Sequence, residues 1–433
     1  MRKRSKVALM AGAALMVMSA QAFSAETIKV WSRQTDESVS VLKDLTSAFT
    51  AETGIAVEIY NTGTDFEQRL ARAAAGRDLP DVVVNDDSAL GQMLRMGIIE
   101  EINPKAIKGS EDIEATAWPS AKSSDGKYYA VPVSAQSFAL FVRKDWREKL
   151  GLPQPKTWED LHKLAQAFTQ NDPDGNGKAD TFGMTIPGST VRGYTSWFMS
   201  NFIWEAGGDF MQQSKDGYKP SLSTKQGASA LSFVRSLFCQ GLTQPGAINA
   251  TTGDALPSFR SGQTGIFLTG PYHIAQLDEQ PGKDKIEVLP PPEGPGGSTS
   301  LAEGTSAYIM KGTQHRDAAQ KFISFFISPK GQEIGMAQGT GHTPLVRLPI
   351  NKNVDVNKIR QDPRWQTFKD VFDKNAHYVP SVPNWTPIRM LTADGFNRIL
   401  SNCNSDIPAE LKTIDDAMTT ELRKQKALAG STQ

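Results

Sequence analysis

Thr27-Ile28-Lys29-Val30-Trp31-Ser32, then Ile55-Ala56-Val57-Glu58-Ile59-Tyr60, then Pro80-Asp81-Val82-Val83-Val84: these three runs, and what lies between them, decide the fold. The first alternates and is rich in β-formers, so it reads as a strand. From Asp36 to Thr53 the apolar residues Val41, Leu45 and Phe49 recur at helical spacing, and Gly54 ends the pattern. Residues 55–60 read as a second strand and Asp65 to Ala75 as a second helix. The run ending at Val84 is short and fully apolar, the kind of strand that a parallel sheet buries on both faces. Ser88 to Met96 reads as a helix again, capped by Gly97-Ile98-Ile99. Strand, helix, strand, helix, strand in about 70 residues is an α/β, doubly wound pattern.

Upstream of this unit the chain has a different character. Arg2, Lys3, Arg4 and Lys6 form a positive segment. Val7 to Met18 is apolar but too short to cross a bilayer. Ala20-Gln21-Ala22 supplies the small residues of a cleavage site, so residues 1–22 read as a secretory signal peptide, with cleavage after Ala25 the alternative. No Cys stands nearby to carry a lipid, and Arg2 and Arg4 are not adjacent, which argues against a twin-arginine route. The mature protein is therefore expected to be soluble and to work in the periplasm.

The whole chain has 47 basic and 47 acidic residues. Loss of the basic leader leaves the mature protein mildly acidic. No basic tract follows, so nucleic acid is not an expected partner. No later segment approaches the length of a membrane span. The two cysteines, Cys239 and Cys403, read in an oxidising compartment either as one disulfide or as two separate buried thiols.

Further along, Tyr128 to Arg143 reads as two extended segments joined at Pro132 to Gln136. Helices are expected at Trp158 to Thr169, Thr195 to Glu205 and Lys225 to Leu237, and a strand at Thr264 to Thr269. Pro290 to Gly297 is a break. Leu301 to Met310 is extended, Arg316 to Ile327 is helical, and the chain beyond Pro363 is mostly helical.

Several short segments now fall into a recognisable order. They are Pro80 to Val84 with Gly97-Ile98-Ile99, Val131-Pro132 with Arg143-Lys144-Asp145, and Lys156-Thr157-Trp158-Glu159-Asp160-Leu161. Gly207-Gly208, Gly265-Ile266 with Gly270-Pro271-Tyr272, Gly304-Thr305-Ser306, and Ala318-Ala319 to Gly331 follow. Each is weak alone, but the ordered set resembles the family 1 extracellular solute-binding proteins, relatives of maltose-binding protein, over essentially the whole mature chain. The resemblance implies a two-lobe periplasmic binding protein fold (type II) with the ligand in a cleft between lobes. It places crossings near 132–136, 302–306 and 345–349. The first lobe would comprise residues 23–133 and 304–346, the second 134–303 and 347–433. Both cysteines then fall in the second lobe.

A sugar site needs aromatic rings for the C–H face of a pyranose and planar polar groups for its hydroxyls. Polar candidates are Arg33, Asn85, Asp86, Asp87, Gln136 and Glu303, all just after predicted strands or at crossings. Asp86 and Asp87 also suit helix capping before Ser88. Among aromatic residues, Tyr272 and Trp197 match cleft positions that the resemblance implies. Trp204, Trp385 (in an expected loop between Pro383 and Pro387) and Trp31 are further candidates that also suit a core, Trp31 more so than a ligand contact.

Asp172, Asp174, Asn176 and Asp180 follow the order of calcium-loop oxygen ligands at positions 1, 3, 5 and 9, with Gly177 at 6 and the Lys178 carbonyl at 7. Gly183 stands where a bidentate Glu usually closes the shell, so the stretch reads either as a structural calcium site or as an Asx- and Gly-rich turn. No other cofactor is expected. The five histidines are scattered, and no GxSxG, HExxH or phosphate-cradling loop occurs. An enzyme is not expected.

The combined reading is the binding component of an ATP-driven importer. It would be a monomer that captures a carbohydrate by hinge closure and delivers it to membrane permease subunits. Two rivals stand beside it. A non-sugar solute could be a polyamine held by Asp86, Asp87 and Glu303, or a phosphate or sulfonate ester held by Arg33, Arg347 and Arg389. A secreted glycosidase would use a pair of cleft carboxylates.

Overall fold

The structure, a computed structural model, describes residues 26–33, 38–62, 65–337 and 343–430. The signal peptide assigned to residues 1–22 lies outside the described residues. Nine strands build the two main sheets: β1 (Thr27–Ser32), β2 (Ala56–Asn61), β3 (Val82–Asp86), β4 (Val131–Gln136), β5 (Ala139–Arg143), β6 (Phe182–Thr185), β7 (Thr264–Thr269), β8 (Ile286–Leu289) and β9 (Glu303–Ile309).

The first sheet has the order β2-β1-β3-β9-β4. Strands β2 and β3 both run parallel to β1, as the opening βαβαβ pattern requires, whereas β9 runs antiparallel to β3 and β4. Alternation in β1 buries Ile28 and Val30 under the helix Val39–Thr53, whose Val41, Leu45 and Phe49 are buried at helical spacing. Val82, Val83 and Val84 are buried on both faces. The second sheet has the order β8-β5-β7-β6. Around it pack the helices Trp158–Gln170, Tyr194–Glu205, Lys225–Cys239, Trp385–Ser401 and Ile407–Lys424.

The expected joint at Pro132 to Gln136 is corrected by the structure: all six residues of 131–136 form one buried strand. Proline fits there because β4 is the edge strand of its sheet and bulges at Val133, the extra residue between the pairs Ser134–Thr305 and Pro132–Ser306, so Pro132 sits at a register shift. The chain crosses between sheets at Ser137-Phe138 instead. Ser137 Oγ donates to the Phe368 carbonyl at 2.7 Å, and the Phe138 N–H donates to Ser300 Oγ at 2.8 Å. A second crossing runs through Ser300 to Glu303, and a third pairs Ala135 with Leu348. These three strands of chain lie side by side and form the floor between the sheets.

Trp385 was expected in a loop but begins the helix Trp385–Ser401, which Asn384 caps by accepting from the Thr386 N–H at 3.2 Å. Pro387 falls in the first turn, where its missing N–H costs nothing. Cys239 ends the helix Lys225–Cys239 and is disulfide-bonded to Cys403, with a Cα–Cα distance of 5.8 Å.

Candidate functional site

The carboxyl end of β3, the start of β9, the end of β4 and the first turns of second-sheet helices converge on a cavity of about 330 Å³ between the sheets. Open α/β sheets place ligands at such carboxyl edges. Asp86 ends β3 and turns outward. Arg33, just past β1, holds it in an ion pair and reaches Glu67 at 3.3 Å. Asp87 follows and accepts from Ser306 Oγ at 2.5 Å. It can lie there because Gly304 carries no side chain: a Cβ would stand 2.8 Å from Asp87 Oδ2 and 2.3 Å from the Ser134 carbonyl. The walls around Asp87 push its carboxyl up to about 7, against its bonds from Ser306 and Ser120, and nearby Asp86 and Glu303 push it further.

Glu303 opens β9 and is the hub of the polar floor. Its Oε2 accepts from Gln136 Nε2 at 3.0 Å and from Trp197 Nε1 at 2.9 Å. Burial raises its pKa, while Arg389 and these two donors oppose the rise. Gln136 in turn accepts from Arg347 Nη1 at 2.7 Å, and the Arg347 guanidinium lies 5.3 Å from the Tyr272 ring centre. Trp197 is braced edge-on by Phe138 at 4.4 Å between ring centres. Tyr272 takes a hydrogen bond from Thr269 Oγ1 at 3.2 Å, and burial holds its hydroxyl protonated, with a pKa near about 12. His273 is buried beside it. Its pKa is pushed down to about 3 by burial and by the charge of Arg347, so the ring is neutral.

Seven of the ten sequence-selected ligand residues therefore meet in one cavity: Arg33, Asp86, Asp87, Gln136, Trp197, Tyr272 and Glu303. Three do not. Asn85 precedes Asp86 on the strand, so the period of two turns it away from the cavity, and it is buried with its Oδ1 accepting from the Asp86 N–H. Trp204 lies in the second-sheet core, stacked on His377 at 4.1 Å and donating to Asp209. Trp385 packs against Phe210 and borders a smaller neighbouring cavity of about 100 Å³, which touches Asp87 and Glu303 from the other side. Trp31 packs on Tyr60.

Cleft residues not singled out as sugar contacts are Arg192, Tyr194, Thr252, His273, Arg347 and Arg389. Arg192 lies in the turn before the helix Tyr194–Glu205 and Thr252 in the first turn of the helix Thr252–Arg260, and only the tertiary fold brings them to the cavity.

The loop from Asp172 to Asp180 is an Asx-turn ladder. Asp172 accepts from the N–H groups of Gly175, Asn176 and Gly177 at 3.0–3.1 Å. Asn176 Nδ2 donates to Asp174 and to Asp180. Lys149 Nζ donates to the Pro173 carbonyl at 3.1 Å. Among the described residues no group of three or more His, Cys, Asp and Glu side chains gathers as a metal site.

The sequence profile of the bacterial extracellular solute-binding proteins matches residues 34–333, and the chain belongs to that family. A Brucella abortus binding protein is 24% identical over 404 residues, covering 92% of this chain and 93% of its own. A maltotriose-binding protein of Pyrococcus abyssi is 21% identical over 408 residues, covering 92% and 82%. The maltose-bound structure of a T. maritima protein superposes with a TM-score of 0.77 at 24% identity, covering 92% of this chain and all of that one. The fold is thus the two-lobe α/β fold of the sugar-binding proteins. Among the described residues no helix is long and apolar enough to cross a membrane.

Proposed function

We propose that this protein is the periplasmic, monomeric binding component of an ATP-driven importer, that its ligand is a carbohydrate, and that it delivers the ligand to membrane permease subunits. One observation carries the reading. The rings of Trp197 and Tyr272 line the same interlobe cavity as Asp86, Asp87, Gln136 and Glu303, which combines flat apolar surfaces with planar hydrogen-bonding groups. The maltotriose-binding relative and the maltose-bound neighbour support a sugar ligand. The two sheets and three crossings support two lobes, with the first boundary at Ser137-Phe138 rather than between 133 and 134: residues 23–136 with 304–346, and 137–303 with 347–433. The protein would bind without turnover, as the family's solute-binding character supports.

Calorimetric titration with mono- and oligosaccharides tests it. A saccharide should bind, and Trp197→Ala and Tyr272→Ala should each weaken it by about 1–3 kcal/mol through lost stacking and burial. Chromogenic glycosides should release no product. Wild-type affinity in both variants would place the ligand elsewhere.

A further inference from the structure

The charges of the cleft are unevenly satisfied. Arg33 is matched by Asp86 and Glu67. Arg192, Arg347 and Arg389, which line the same cavity, have no carboxylate within ion-pair distance among the described residues. Arg347 is held by the neutral Gln136, and its Nε is buried without a hydrogen-bond partner. Arg389 makes one long bond, from Nε to the Gly193 carbonyl at 3.4 Å. It feels Glu303 but is not paired with it.

A second feature points the same way. The helix Thr252–Arg260 begins at the cavity, which Thr252 and Gly253 line. Thr251 caps it and exchanges hydrogen bonds with Asp254, so the capping box is closed upon itself. Thr252 is only 9% exposed, and its Oγ1 has no hydrogen-bond partner. A buried unpaired hydroxyl costs stability unless a ligand completes it. Backbone N–H groups of a first helical turn, together with such a hydroxyl, favour a negatively charged group.

We infer that Arg347, Arg389 and the Thr252 end of this helix form an oxyanion subsite, so that the carbohydrate taken by this cleft carries a carboxylate or a phosphate. The inference rests on the carbohydrate reading above and narrows it. A neutral sugar would strip water from the arginines without supplying a charge. An oxyanion matches their forked donors with paired hydrogen bonds. Asp86, Asp87 and Glu303 remain to take hydroxyls. A polyamine would face three unpaired arginines and is disfavoured.

The test is calorimetric titration of the mature protein with matched panels: glucose, galactose and their disaccharides against the corresponding uronates and 6-phosphates, plus inorganic phosphate. A charged saccharide should bind at least tenfold tighter than its neutral parent. The uronate and phosphate arms tell which oxyanion is used. Arg347→Gln, Arg389→Gln and the near-isosteric Thr252→Val, each checked for native circular dichroism, should each cut affinity for the charged ligand at least fivefold more than affinity for its neutral parent. Neutral sugars binding as tightly as charged ones, or variants weakening both equally, would overturn the subsite and leave the carbohydrate reading standing. Silence of every probe would overturn both, whereas binding of inorganic phosphate alone would keep the oxyanion subsite and overturn the carbohydrate reading.

Discussion

Asp87 shows how one residue comes to have two roles that its type does not announce. It starts the short turn after β3 and also stands in the wall of the cleft, where its carboxyl titrates near about 7 rather than at its ordinary 3.8. The folded state keeps a proton there that the unfolded chain has already lost. Its stabilising contribution is therefore complete below about pH 4 and is lost as the pH rises to about 7. Asp87→Asn removes the titration while keeping an acceptor for Ser306. Scanning calorimetry should show the variant's Tm gaining on the wild type from pH 4 to pH 8; parallel curves would mean that Asp87 is not proton-linked to folding. Neighbouring positions teach the complementary lesson. Asn85 and Asp86 look equivalent in sequence, yet a strand's period of two sends one to the core and the other to the cleft.

At the scale of elements, the Asp172 loop illustrates a pattern with two meanings. Its carboxylates already organise the turn by accepting backbone N–H groups. Asp172→Ala should lower the Tm even in chelator, because those donors lose their acceptor. Calcium binding, proposed from the oxygen order alone, would appear as a further rise in wild-type Tm on adding calcium and as no rise in the variant. The disulfide is also an element-level device: it ties the end of the helix Lys225–Cys239 to the turn before the helix Ile407–Lys424, across 164 residues. Closing so long a loop contributes up to about 5 kcal/mol in the chain-entropy picture. Cys239→Ser with Cys403→Ser should lower the Tm and the denaturation midpoint, and the unreduced, denatured wild type should show no reactive thiols. An unchanged midpoint would mean that the bond constrains nothing the packing does not already hold.

The molecule as a whole joins two sheets through three adjacent crossings, at Ser137-Phe138, Ser300 to Glu303 and around Leu348. Gln136, Glu303 and Arg347 stand on or beside those crossings, so ligand contact and hinge share one hydrogen-bonded floor. Few residues need to change backbone angles for the lobes to close over a ligand. Small-angle scattering should give a smaller radius of gyration with saturating ligand than without; an unchanged radius would argue for a rigid cleft.

Local pattern was enough to read the βαβαβ start, the helix Arg316–Ile327 and the strand Thr264–Thr269, because helical and strand periods are set by neighbours along the chain. Seven cleft residues were legible too, since the polar ones end strands or sit at crossings and the aromatic ones follow from the family resemblance. The remainder depended on distance in space rather than along the chain. Whether Pro132 breaks or continues a strand was decided by pairing of β4 with β9, more than 160 residues away in sequence, across a bulge at Val133. Trp204 and Trp385 went to the core because Phe210, His377 and the C-terminal helices close over them. The lack of a carboxylate partner at Arg192, Arg347 and Arg389 among the described residues became visible only when separate segments met around one cavity, because whether a charge is balanced depends on which groups the fold brings within a few ångströms of it.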